Sequence, residues 1–340
     1  MRTGTAQLPL HGGKAPAYLF QRMVKLAREI SLVIAAEYGT LELMRRLSDP
    51  FWFQSFGCVL GYDWHSSGVT TVVCGALKEA WKPISKEMGL FIAGGKGATS
   101  RKTPSEIETL APELRVSPNG LVFASRMSAK VDNNAVQDGY QIYHHTFLFD
   151  REGRWAVIQQ GMSEQKGWAR RYHWLSERME DFVDEPHAGI ITSALTQPLN
   201  MIAHESEPAR QASATLALEK PWKNLAELKK LQRLELPTHH QVLLRDIHPD
   251  RIASTLQSAY EAQPQNFEQL LGARNVGPKT IRALALLSEV IYGAQPSFKD
   301  PARFSFAHGG KDGHPYPVDR KTYDQSIQIL RQAVERAKLG

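Results

Sequence analysis

The sequence predicts an α+β N-terminal domain with a small antiparallel sheet, followed by an all-α C-terminal domain. Three observations lead there. Apolar residues recur at three and four positions over the first eighty residues, change to a period of two from Gly120, and return to helical spacing from Trp222 onward. At 340 residues the chain is long enough for two cores. The expected division is residues 1–205, a linker at 206–222, and residues 223–340.

The elements follow in order. Leu19, Phe20, Met23, Leu26, Ala27, Ile30 and Val33 predict a helix that Tyr38-Gly39 closes. Thr40 can cap a second helix, which ends before Asp49-Pro50 because the residue preceding proline leaves the helical region. The aromatic, apolar stretch Phe51–Leu60 is expected to be buried, and Ser66 or Ser67 can cap a helix running to about Lys82. Residues 89–104 hold Gly94-Gly95-Lys96-Gly97 beside Arg101-Lys102, which reads as a basic loop or a phosphate nest. Leu121–Ser125 and Gln141–Phe149 alternate as strands do. Asp150-Arg151-Glu152-Gly153 turns the second of these into Trp155–Gln160, setting His144 or His145 across from Gln159 or Gln160. Ala188–Ser193 adds a further strand. Thr196–Trp222, polar and proline-containing, reads as the domain boundary, and helices follow at Leu225–Leu234, Arg251–Ala262 and towards the end of the chain.

Charge is unevenly spread over these elements. Residues 1–219 balance 23 Lys/Arg against 23 Asp/Glu, whereas residues 220–340 carry 18 against 12, so the net +6 belongs to the C-terminal part and suits a polyanionic partner. There is no uninterrupted run of eighteen apolar residues and no signal pattern at the N-terminus, so no membrane association and a cytoplasmic location are expected. Cys58 and Cys74 are too few for a disulfide framework and read as packed thiols.

Candidate chemistry gathers around the strand hairpin. His144 and His145, with Asp132 and Asp138 from the preceding loop, could hold Mn²⁺ or Mg²⁺, joined by Asp63. Adjacent strand residues point to opposite faces, so only one of the two histidines can serve a given site. Arg126, Lys130 and Gln160 are the polar groups expected to complete it. Gly167–Leu175 interleaves Arg170 and Arg171 with aromatics, as a surface that stacks bases and tracks phosphates would; a helix with its aromatics turned inward fits the same composition.

Gln265–Gly293 reads as two short helices joined by Arg274-Asn275-Val276-Gly277-Pro278-Lys279-Thr280. Gly277 permits close backbone approach, Pro278 suits the first helical turn, and the free amides of that turn with Lys279 form an anion site. Val276, Gly277, Lys279, Thr280 and Arg274 are therefore expected to contact DNA phosphates. This stretch resembles the helix-hairpin-helix motif, which holds the DNA backbone without reading sequence. With Pro317-Val318-Asp319 downstream, it also looks like the corresponding part of the base-excision DNA glycosylases. That resemblance implies a lyase in which Lys279 attacks the sugar carbon and Asp319 assists.

The chain as a whole resembles domain-of-unknown-function family 763. The resemblance rests on Leu8-Pro9-Leu10-His11-Gly12-Gly13-Lys14, Ser48-Asp49-Pro50-Phe51-Trp52-Phe53-Gln54, Asp63-Trp64-His65-Ser66-Ser67-Gly68-Val69, Tyr143-His144-His145-Thr146 and Phe306-Ala307-His308-Gly309-Gly310-Lys311-Asp312-Gly313. It implies no particular activity. The expectation from the residues is a metal-dependent nuclease, with Asp138, His144, His145, Lys130, Arg126 and Gln160 at the reaction centre and the C-terminal part holding DNA. A glycosylase/lyase using Lys279 and Asp319, or a DNA-binding protein without catalysis, are the alternatives. The oligomeric state is not legible.

Overall fold

A computed structural model describes residues 8, 10, 15–63, 66–165, 167–192, 195–231 and 249–302. Four helices come first: α1 (Ala17–Tyr38), α2 (Thr40–Ser48), α3 (Pro50–Val59) and α4 (Gly68–Trp81). Asp49 ends α2, and its carboxylate accepts from the amides of Phe51 and Trp52 at 2.8 and 3.1 Å, so the same residue caps α3, whose first position is Pro50. After the short α5 (Ser85–Met88) come strand β1 (Leu90–Lys96), α6 (Thr103–Thr109) and α7 (Pro118–Lys130). Helix α7 runs into a π-helical turn, Val131–Ala135, an uncommon form frequently found at functional sites.

The strands β3 (Gln141–Asp150), β4 (Trp155–Ser163), β5 (Trp168–Leu175) and β6 (His187–Thr192) join β1 in one antiparallel sheet of order β1-β3-β4-β5-β6. The expected hairpin forms, and the structure settles its register: His144 pairs with Gln160 and His145 with Gln159. A separate two-stranded ribbon joins β2 (Val136–Gln137) to β7 (Leu199–Asn200). Beyond it lie α8 (Glu207–Ala217), α9 (Pro221–Leu231), α10 (Pro249–Glu261), α11 (Phe267–Gly272) and α12 (Pro278–Tyr292). No described helix is long and apolar enough to cross a membrane.

Strand alternation sorts the sheet's side chains into two cores. Leu148, Ala156, Ile158, Leu175 and Ile191 pack against α1 to α4. Phe147, Phe149, Val157, Tyr172, Trp174 and Ile190 pack on the other side, in a cluster that continues through α7, α8 and α9 to Leu270, Ile281 and Leu284. The mixed α/β molecule therefore carries helices on both faces of its antiparallel sheet.

Several expectations change with this arrangement. Leu121–Ser125 belongs to α7, where Leu121, Val122 and Ala124 are buried and Phe123 is exposed, and so short a segment fits either period. Residues 89–104 supply an edge strand and helical turns. A side chain at Gly94, where φ is +88°, would collide with the backbone carbonyl of His145, so this glycine lets β1 lie on β3. The segment 206–222 is no linker: Ala209, Arg210, Ser213 and Ala214 of α8 are buried against the second core. The described C-terminal helices pack on one another and on α7 with its π-helical turn, and they share one buried cluster with the sheet face beneath α7. Cys74 is buried and Cys58 half-buried, both as free thiols.

Candidate active site

The strands that carry the candidate chemistry are covered on both sides, so their polar groups must find partners inside the protein. The register sets Gly95, His145, Gln159, Tyr172 and Ile190 in one row across the sheet and Lys96, His144, Gln160, Arg171 and Ile191 in the next. The two rows face opposite cores, as alternation requires. Among the described residues no group of three or more His, Cys, Asp or Glu side chains is placed to hold a metal ion.

The first row leads to Asp132 on the π-helical turn. Ser125 Oγ lies 3.0 Å from His145 Nε2, and His145 Nδ1 lies 2.8 Å from Gln159 Oε1. Gln159 donates its amide to Asp132, which also accepts from Trp174 Nε1 at 3.0 Å. Its other oxygen is 2.5 Å from His187 Nε2, and this carboxylate is fully buried. His187 therefore has one ring nitrogen committed to Asp132, while Nδ1 has no partner among the described residues. It lines a cavity of about 450 Å³ with Glu185, Asn200, Glu205, Lys299 and Asp300. A buried carboxylate that fixes one imidazole nitrogen and leaves the other basic is the arrangement a general base needs. At the cavity wall Glu185 adopts φ +45°, a conformation unusual for a residue with a side chain and found most often at functional sites.

A second network adjoins the first. Arg170, expected at a DNA-binding surface, is fully buried: it donates to Asp138 at 2.8 Å and to Asp300 at 2.7 Å. Tyr172 also donates to Asp138, at 2.7 Å, and Asp300 accepts from the amide and hydroxyl of Thr196 at 2.7 and 3.0 Å. Burial works to lower the Arg170 pKa, but Asp138 and the other acidic groups around it prevail and hold it above its ordinary value. Arg171 is equally buried, on the opposite face, hydrogen-bonded to Gln54 and Thr70 at 2.7 and 3.2 Å. Both arginines are thus corrected from surface contacts to interior groups, because Gly167–Leu175 supplies a central strand with helices over both its faces.

The remaining expected site residues are dispersed. His144 and Gln160 face α4 and are separated by the sheet from Asp132 and Asp138. Among the described residues the His144 ring hydrogen-bonds only to the Thr146 hydroxyl, at 2.9 Å, and burial drives its pKa down to about 3. Asp63 is exposed beside α4, and Arg126 is exposed on α7. Lys130 donates to the carbonyls of Leu271, Gly272 and Ala273 at 2.8, 3.1 and 2.6 Å, closing the C-terminal end of α11. The expected ligands Asp132, Asp138, His144 and Asp63 are not brought together, and the expected catalytic group of Asp138, His144, His145, Lys130, Arg126 and Gln160 divides in the same way.

In the turn between α11 and α12, Arg274 and Lys279 are exposed, Val276 is buried, and the Thr280 hydroxyl pairs with Thr255 at 2.7 Å. A side chain at Gly277 would meet nothing within 4 Å, and its φ of −124° suits any residue. The turn is tied to the sheet region through Gln137, whose side chain donates to the Pro278 carbonyl at 2.8 Å and accepts from Arg282 at 2.7 Å. Asp319 lies outside the described residues.

The family model described as "Protein of unknown function (DUF763)" matches residues 4–318. The chain belongs to the DUF763 family. No curated protein matches this DUF763 chain, and no solved structure does either. His187, Asp300, Glu185, Glu205 and Lys299 are the candidate residues that sequence reasoning missed. Only the strand at 188–193 pointed towards His187, and its partner Asp132 is 55 positions away.

Proposed function

We propose that this DUF763 chain is a DNA-processing hydrolase that holds the phosphate backbone at the turn between α11 and α12 and cleaves phosphodiester bonds at the His187 cavity. The observation that carries the reading is the shared support of the two places. Gln137 binds the first residue of α12 through its side chain, and its strand β2 pairs with Leu199–Asn200, whose Asn200 lines the cavity. Gly277 supports the DNA half: its own fold tolerates a side chain there, so a bare backbone is consistent with close approach by a ligand. Lys279 and Arg274 add exposed charge beside the start of a fifteen-residue helix.

In the proposed step His187 Nδ1 takes a proton from water as the water oxygen bonds to phosphorus. The bond to the leaving sugar oxygen breaks, and the imidazolium returns the proton to that oxygen. At this cavity Lys299 lies 3.1 Å from Glu205 and Arg170 2.7 Å from Asp300, so these cations are already paired with carboxylates when a phosphate arrives. The reading therefore includes a divalent cation, Mg²⁺ or Mn²⁺, arriving with the substrate and held by one or two carboxylates and the phosphate oxygens.

Labelled DNA incubated with the full chain, with and without chelator, tests this. Asp132→Asn and His187→Ala should lower turnover by about 10² or more while leaving DNA affinity unchanged. Gly277→Val should weaken binding, and Lys279→Ala should reduce the salt slope of binding by about one. Normal cleavage by both dyad variants would exclude the dyad. A borohydride-trapped adduct that requires Lys279 would replace hydrolysis by lyase chemistry.

A further inference from the structure

The other face of the sheet carries a second cavity, of about 740 Å³, whose lining shares no residue with that of the His187 cavity. Lys96, at the end of β1, and Tyr143 form part of its wall. Tyr143 is the extra residue of a β-bulge, since Ile142 pairs with Gly161 and His144 with Gln160; bulges commonly re-aim a side chain. Its hydroxyl accepts from Gln160 Nε2 at 2.5 Å, so its own O–H must donate elsewhere. The same Gln160 nitrogen reaches the Ser67 carbonyl, at 2.9 Å, fixing the start of α4 on this wall. A side chain at Gly68 would collide with the Tyr62 hydroxyl, so Tyr62 is packed on the first turn of that fourteen-residue helix.

The charges here are unbalanced in a telling way. Lys96 is exposed, with its Nζ 5.9 Å from the centre of the Tyr143 ring, and it has no carboxylate partner among the described residues. Behind the wall Arg171 is fully buried, bonded to Gln54, Thr70 and, at 2.9 Å, His173. None of these partners is anionic. A buried guanidinium without a counter-charge is costly, and an anion placed nearby would offset that cost. Thr70 bonds both Arg171 and Gln160, so a continuous hydrogen-bonded path joins the buried cation to the Tyr143 hydroxyl at the cavity.

We propose that this cavity binds a nucleoside monophosphate group, its phosphate against Lys96, the Tyr143 hydroxyl and the start of α4, and its flat base among Tyr62, Leu10, Leu19 and Met162. The volume lies within the range of small-molecule sites, which combine apolar walls with a few polar anchors. Asp63 and Glu164 on the same wall are acceptors for sugar hydroxyls and favour a nucleotide over inorganic phosphate. The group could be a free nucleotide or the 5′-phosphorylated end of a strand.

Titration calorimetry of the full chain with dAMP, deoxyadenosine, inorganic phosphate and a short 5′-phosphorylated oligonucleotide tests the proposal. The expected result is binding of dAMP that weakens at least tenfold in Lys96→Ala and several-fold in Tyr143→Phe but is unchanged in His187→Ala and Lys279→Ala. Lys96 is exposed, so its replacement leaves the fold intact. Similar affinities for dAMP and oligonucleotide identify the free nucleotide. A much tighter oligonucleotide that still depends on Lys96 identifies a strand end. The proposal is overturned if neither phosphorylated probe binds, if their binding ignores Lys96→Ala, or if it disappears instead with Lys279→Ala. Each of these results is independent of whether the His187 dyad cleaves DNA.

Discussion

His144, His145 and His173 are buried, and burial lowers the pKa of each below the ordinary histidine value, that of His144 to about 3. The unfolded chain takes up protons near pH 6.5 while the folded chain does not, so protonation favours unfolding throughout the window between those values. For His144, stability present above pH 6.5 should therefore be lost as pH falls towards 3, at about 1.4 kcal/mol per pH unit; His145 and His173 act in the same direction. The fall in melting temperature between pH 7 and pH 5 should be visibly shallower in His144→Gln than in the parent chain. Equal slopes would show that His144 is not held neutral. His145 differs in consequence, because it sits between Ser125 and Gln159 in the row that ends at Asp132.

Among the elements, the turn between α11 and α12 depends on a distant lysine. The Lys130 ammonium takes three carbonyls that end α11, and a cation at a helix C-terminus is favoured by the helix dipole as well as by hydrogen bonding. Burial lowers the Lys130 pKa, which fits an ammonium used for structure inside the fold. Lys130→Ala should cost about 2 kcal/mol of stability, seen as a lower urea midpoint at an unchanged slope. DNA affinity should fall with it, since the same contact sets the turn that carries Lys279. A variant with unaltered midpoint and affinity would remove Lys130 from both roles.

For the whole molecule, one cluster runs from Phe147 and Trp174 on the sheet to Leu284 and Leu287 on α12, so the middle of the chain shares a core with the described C-terminal helices. A fragment ending at residue 205 would keep α7 on that sheet face but lose the helices packed over α7, and a fragment from 207 would leave those helices without the surface they cover. Neither should unfold cooperatively, and both should bind the dye ANS, whereas the full chain should show a single transition. A cooperatively folding 207–340 fragment would restore the division into two domains.

The sequence by itself determined what is local. Helix ends at Gly39 and Asp49, a helix capped near Ser66 or Ser67, and a hairpin setting His144 or His145 across from Gln159 or Gln160 were all legible, because caps, prolines and turns act over a few residues. It also determined that the two histidines serve different faces, since strand alternation leaves no other possibility. Only the tertiary structure decided how those faces are covered. A strand rich in arginine and aromatics reads as a wet surface until the fold covers both its faces, and then Arg170 and Arg171 become interior charges whose partners decide their role. The pairing of Asp132 with His187, and the cavity it opens on, depended on the same closure. No periodicity or spacing records which residues, 55 positions apart, the packing of a helix end against a strand will bring within 2.5 Å.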